Sequence, residues 1–306
     1  MKLTPAQLKG RLKNLANQHH ADARTLMRLY MMERFLERIS ASNYRDNFII
    51  KGGILVTSLI GVALRSTMDI DTTIKNLNLS DEDIRHIVDE ICTIDLQDDV
   101  KFQVKHLSRI MDEMDYPGIR VTLNAFLGNM LVPMKIDIST GDVITPREIH
   151  HQYKLLLEDR SILLWSYNLE TLLSEKIQTV LARGQLNTRM RDFYDLYGLS
   201  RIYRDKIDAA TLKFAFTATC AKRATQNLLQ DAPKVITKIQ QDNNLMSLWK
   251  SYKKKYNYAA NISYDPSCGT AGFLVEAGEY LWNNKNEAVK LGLELQYLQF
   301  LDLNVL

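Results

Sequence analysis

Two aspartates, Asp69 and Asp71, flank a single isoleucine, and upstream of them stands Lys51-Gly52-Gly53. Side chains alternate along a strand, so both acids would share one face while Met68 and Ile70 take the other. Carboxylates held side by side repel unless a positive charge lies between them. A hard divalent cation, Mg²⁺ or Mn²⁺, meets that need through oxygen ligands, and such an ion also holds nucleotide phosphates. Further on, Lys135-Ile136-Asp137-Ile138-Ser139 alternates polar and apolar, which places Lys135, Asp137 and Ser139 on one face of a half-buried strand. Set beside the first acids, Asp137 would complete a cluster of Asp69, Asp71 and Asp137 able to hold two metal ions. Such a pair clamps the attacking and leaving oxygens of a phosphoryl or nucleotidyl displacement. An Asp-x-Asp alone also suits a solvated strand. The Gly-Gly turn before it and Lys-Ile-Asp-Ile after it favour chemistry.

The elements that must position these residues are legible around them. Asn47-Phe48-Ile49-Ile50 reads as a short buried strand, and Gly52-Gly53 as the turn that leaves it. Glycines there let backbone approach a ligand with no Cβ between them. Ile54 to Gly61 has the length of two helical turns. Thr4-Pro5 starts a helix, and helical spacing of Leu8, Leu12 and Leu15, then of Leu26, Leu29, Phe35 and Ile39, predicts two helices parted near His19-His20. Ser80-Asp81-Glu82-Asp83 opens a helix running to about Ile91. Val100 to Leu107 and Ile119 to Ala125 alternate as strands. The order of two helices, strand, helix, strand, helix and three strands predicts a mixed sheet with helices packed on it. Beyond Pro146 the alternation gives way to helical periodicity, from Leu169, Leu172 and Leu173 to Leu291, Leu295, Leu298 and Leu301. The expected architecture is α+β: a sheet domain over residues 1–160 and a helical C-terminal domain over 161–306.

The chain of 306 residues has apolar material for two domains of ordinary size, at 46% hydrophobic and 25% charged. A net charge of +3 does not by itself indicate nucleic acid. Cys92, Cys220 and Cys268 are isolated and odd in number, which argues against a disulfide framework or a zinc ribbon. The N-terminus lacks the apolar run of a signal peptide, and no apolar stretch is long enough to span a membrane. A reducing cytoplasm is the expected location.

Other residues keep two readings each. Arg65 stands in a polar loop where it would pair with phosphate or with Asp69. Lys176 lies among leucines, as a solvated charge or a ligand. Asp192 and Asp195 fall near Arg189 and Arg191 at spacings that suit surface ion pairs. The neighbours in His19-His20 and in His150-His151 point apart, so neither pair makes a bidentate metal site and both belong to the surface. Tyr252-Lys253-Lys254-Lys255-Tyr256-Asn257-Tyr258 would suit a phosphate backbone with stacked bases, or a solvated helix end. Lys222, Arg223, Lys234 and Lys238 lie in the same half of the chain.

Taken in order, Gly52-Gly53, Asp69-Ile70-Asp71, Asp137, Glu175-Lys176 and Arg191-Asp192-Phe193-Tyr194-Asp195-Leu196 resemble the motifs of the AbiEii toxins, with their MenT relatives, in the DNA polymerase β-like nucleotidyltransferase superfamily. The motifs span about residues 47–197. No serine adjoins Gly53, so phosphate contact would fall to Gly52, Gly53, Ser66 and Thr67. The resemblance implies a toxin of a toxin–antitoxin, abortive phage-infection system that transfers a nucleotide, with GTP favoured, to an acceptor, with tRNA leading. It implies Mg²⁺ or Mn²⁺ on the acids, Lys176 on the triphosphate, Asp192 orienting Lys176 or an incoming nucleotide, and a separately encoded AbiEi-type antitoxin. Two rivals are a nucleotide-binding protein that inhibits growth by holding a partner, and a transferase placing AMP or GMP on protein.

Overall fold

The computed structural model describes residues 2–63, 65, 67–77, 80–110 and 118–262. Ser66, Cys268 and the leucine periodicity from 291 to 301 therefore lie outside the described residues. Chain contacts separate two units, the first ending at Asn168 and the second beginning at Leu169.

The first unit opens with helices α1 (Pro5–His19) and α2 (Ala23–Ala41). Thr4 caps α1 in a reciprocal pair with Gln7, and Asp22 caps α2 by accepting from the Thr25 backbone N–H. Strand β1 (Phe48–Lys51) runs directly into α3 (Gly52–Ile60), then come β2 (Ile70–Ile74) and α4 (Asp81–Thr93). As the sequence signals, Ser80 and Asp83 form the capping box of α4. Three long strands follow, β3 (Val100–Ile110), β4 (Gly118–Leu127) and β5 (Met130–Thr140), then the hairpin of β6 (Ile149–Lys154) and β7 (Ser161–Ser166).

That hairpin is absent from the sequence-based expectation. Strand β6 carries few apolar residues, so its period of two is hard to read. Strand β7 is a near-continuous apolar run of the kind periodicity assigns poorly. The strands form one mixed sheet in the order β3-β4-β5-β2-β1-β7-β6. Strand β2 is antiparallel to β1 and parallel to β5, and β1 is parallel to β7. One face buries Ile70, Ile136, Val121 and Leu123 with α2 and α4, whose Phe35, Ile39, Val88 and Ile91 are buried. Burial of that face fixes the register, because a one-residue slip of a strand would turn its buried side chains to the opposite face.

The second unit is helical among its described residues: α5 (Leu169–Arg183), α6 (Met190–Tyr203), α7 (Ala209–Lys222), α8 (Leu228–Gln240) and α9 (Asn243–Lys255). Helix α5 packs on α6, α7 and α8, burying Leu173, Ile177 and Val180.

Candidate active site

The site begins with two glycines and one acid. Gly52 and Gly53 form the first residues of α3 rather than a separate turn, with Lys51 at the N-cap. Gly52 has φ +52°, and a Cβ there would lie 2.4 Å from Asp71 Oδ2. Its backbone sign and the space beside it both require glycine. The Gly53 N–H then donates to Asp71 Oδ2 at 2.7 Å. A Cβ on Gly53 would meet Thr67 Oγ1 at 2.5 Å and the Arg65 guanidinium at 3.1 Å. The Gly-Gly pair thus admits Asp71 on one side and Arg65 with Thr67 on the other.

Strand pairing supplies the second acid. Asp71 on β2 is the parallel partner of Asp137 on β5, and Lys51 on β1 is the antiparallel partner of Asp71. Residues in register share a face, so the two acids and the lysine stand in one row across three strands. Asp69 departs from expectation: it precedes β2 instead of lying on it. It still feels Asp137. Burial, then Asp137, push its carboxyl above the usual range, while Lys135, Arg120 and Arg28 act to lower it. Asp71 is also raised, by burial first, with the Gly53 N–H and Lys51 opposing and Asp137 and Asp69 adding repulsion.

Asp137 is held by a residue the sequence reading did not single out. Arg120, its partner on β4, donates from Nε to Oδ1 at 2.7 Å and from Nη2 to Oδ2 at 2.6 Å. This bidentate pair fixes the Asp137 carboxylate and leaves each of its oxygens a further acceptor site. Among the described residues no three His, Cys, Asp or Glu side chains converge to hold an ion. The donor set fits one divalent ion on Asp69 and Asp71, which are hard oxygen ligands carrying charge that burial and mutual repulsion disfavour. An Asp71 oxygen bonded to Gly53 retains acceptor capacity for it.

Beside this row lies a second missed network. Asp142, just past β5, accepts from Lys51 Nζ, from Ser139 Oγ at 2.7 Å and from the Tyr167 hydroxyl at 2.8 Å. Burial opposes its charge, but Lys51 and the hydrogen bonds outweigh it and hold the carboxyl below the usual range. Only tertiary folding joins these four residues.

The remaining expected residues fall as follows. Arg65 is buried at 2% exposure. From the loop before β2 it donates to the Gly53 carbonyl at 3.2 Å and so braces the start of α3. Thr67 is buried and donates to the Asp69 carbonyl at 3.3 Å. In the second unit, Lys176 is buried on α5 and pairs with Asp192 at 3.2 Å and Asp195 at 2.6 Å on α6. Asp195 therefore serves Lys176 rather than acting only as a helix-surface partner. His150 stacks on Trp165 with ring centroids 3.7 Å apart. His151 is half-buried against Ser58 at 2.8 Å, so it is not the surface residue expected. Of the tyrosines that suited either base stacking or a solvated helix end, Tyr252 is buried with its hydroxyl 2.9 Å from that of Tyr258, and Tyr256 stacks on Tyr258 with ring centroids 5.3 Å apart.

A family model described as the nucleotidyl transferase AbiEii toxin of a type IV toxin–antitoxin system matches residues 34–267. No curated protein matches the chain by sequence. Among solved structures, JHP933 from Helicobacter pylori is similar with a TM-score of 0.48 at 15% identity, over 88% of this chain and 96% of that one. An antigenic nucleotidyltransferase-like protein from Paracoccidioides brasiliensis gives a TM-score of 0.37 at 14% identity, over 78% of this chain and 94% of that one. No helix among the described residues is long and apolar enough to cross a membrane.

Proposed function

We propose that this chain, which belongs to the AbiEii family of nucleotidyltransferase toxins of type IV toxin–antitoxin systems, arrests growth by moving a nucleoside monophosphate from GTP to the 3′ end of tRNA. The observation that carries this reading is the row of Lys51, Asp71 and Asp137, with the Gly53 N–H closed onto Asp71. A divalent ion on Asp69 and Asp71 would supply the positive charge that a triphosphate and its leaving pyrophosphate need. Gly52 and Gly53 begin a helix, whose amide groups and dipole favour phosphate. Ser66, Thr67 and Arg65 join them as triphosphate contacts, Arg65 from its place against the Gly53 carbonyl. Asp137, aimed by Arg120, orients the acceptor hydroxyl and takes its proton as the oxygen attacks the α-phosphorus and pyrophosphate departs. Lys176, held by Asp192 and Asp195, is assigned to the triphosphate on the family resemblance. An AbiEi-type antitoxin, encoded separately, would oppose the toxin, and phage defence is the biological setting.

Purified protein incubated with each α-labelled nucleoside triphosphate, Mg²⁺ and either total RNA or total protein tests the reading. Label from GTP on tRNA is expected. Label on protein would instead favour an AMP or GMP transferase, and nucleotide binding without transfer would favour an inhibitor that holds a partner.

A further inference from the structure

The half of the sheet beyond Asp137 has a face with its own charge pattern. Four rows cross β3, β4 and β5 there: Ser108–Arg120–Asp137, His106–Thr122–Lys135, Gln103–Asn124–Pro133 and Lys101–Phe126–Leu131. The opposite face of these strands is the buried one, carrying Phe102, Val104, Val121, Leu123, Met134 and Ile136. On the row face Lys101, Gln103, His106 and Lys135 are exposed, while Arg120, Thr122, Asn124 and Phe126 are half-buried in the middle strand. The ladder shifts between Val104 and His106, which makes Lys105 a bulged residue, and it too is exposed. Bulges re-aim side chains and often lie beside active sites.

Basic residues predominate on this face, and its one acid is already paired to Arg120. Lys101, Lys105, Arg120 and Lys135 are basic, and Asp137 is the only acid in the four rows. An ordinary solvated sheet face mixes signs along its rows. Here the basic and amide-bearing rows lead to the acid that readies the acceptor hydroxyl. At about 3.3–3.4 Å per residue, the path along β5 from Leu131 to Asp137 is roughly 20 Å, room for a few nucleotides. Exposed lysines to track phosphates, amides to take polar edges and a half-exposed phenylalanine for stacking are the parts of a single-strand binding surface.

We propose that this face of β3, β4 and β5 binds the single-stranded end of an RNA acceptor, with its 3′-hydroxyl at Asp137 and the preceding phosphates along Lys135, Lys105 and Lys101. The proposal rests on the transfer reading above and names the surface that presents the substrate to it. Lys101 and Lys105 belong to the surface and not to the nucleotide-binding or catalytic set, so their removal separates acceptor binding from chemistry.

The test compares full-length wild type with Lys101→Ala/Lys105→Ala. The probe is a short fluorescein-labelled single-stranded oligoribonucleotide, with anisotropy read across a salt series. Two lost phosphate contacts at about 0.7 each should lower the magnitude of the log K against log salt slope by about 1.4, or roughly 25-fold in affinity at 0.1 M salt relative to 1 M. In the transfer assay KM for RNA should rise by a similar factor with kcat and GTP affinity unchanged. Phe126→Leu should weaken binding at every salt concentration with the slope intact. Unchanged affinity and slope in the double lysine variant, in a protein that labels RNA normally, would overturn this surface and leave the transfer reading standing. Equal losses toward poly-L-glutamate would also overturn it, marking a general anion-binding face. Wild type that labels no RNA would remove the acceptor reading and the surface together.

Discussion

Gly52 is the residue on which the site's geometry turns. A Cβ would strike the Asp71 carboxylate, and φ is +52°. Gly52→Ala should lower stability by about 1–2 kcal/mol from the left-handed backbone alone, with a further loss as Asp71 moves. Urea unfolding measures the first effect and growth inhibition in cells the second; a stable, fully toxic alanine variant would refute the assignment. Asp137→Asn keeps the shape and one acceptor for Arg120 but loses the charge. Nucleotide binding should survive while transfer falls by on the order of 10²–10⁴, the usual contribution of a general base. Full transfer by the asparagine variant would return Asp137 to a structural partner of Arg120. The types and spacing of Gly52, Gly53, Asp71 and Asp137 were readable from sequence. Arg120 was not, since nothing in its local sequence says that it stands opposite Asp137 on the neighbouring strand.

At the scale of elements, buried charges join helices to their neighbours. Lys176 ties α5 to α6 through Asp192 and Asp195. Removing one partner of a buried ionic cluster leaves uncompensated charge, so Lys176→Met should cost about 3–5 kcal/mol. Adding Asp192→Asn and Asp195→Asn should restore much of it. Calorimetry on the three proteins checks this, and a single variant as stable as wild type would contradict the burial. Glu33 on α2 gives a pH prediction. Its carboxylate accepts the Leu156 backbone N–H at 3.0 Å, and burial pushes its pKa up to about 8. The folded state then holds a proton that the unfolded chain releases near 4.5, so Glu33's contribution is full below that value and is lost as pH rises through 8. Glu33→Gln should flatten this decline in Tm against pH. Parallel curves for both proteins would argue against it.

For the whole molecule, activity and stability should move apart at the site. Burial, Asp137 and Asp69 disfavour the charge on Asp71 and outweigh the Gly53 N–H and Lys51. Asp71→Asn should therefore melt at or above the wild-type temperature while losing toxicity and the Mg-GTP thermal shift. For wild type that shift corresponds to about 2.7 kcal/mol at a ligand concentration of 100 times Kd. Loss of Tm together with toxicity would mean that Asp71 is a folding residue first. A family match over residues 34–267 makes the toxin readout the natural one.

The sequence by itself determined the α+β class, the order of elements through β5, the capping of α1 and α4, and the glycine and acid motifs. All of these are local: a period, a cap or a short spacing is complete within a few residues. Tertiary structure decided the rest. It added β6 and β7, whose burial depends on neighbours that local pattern does not name, and set Asp69 just outside its strand. It also gave Asp137 to Arg120, drew Lys51, Ser139, Asp142 and Tyr167 into one network, and buried Arg65 and Lys176 where loop and surface readings stood open. Each of these depends on strand register or helix packing, which brings together residues far apart in the chain, and hydrophobic burial of the opposite face sets that register.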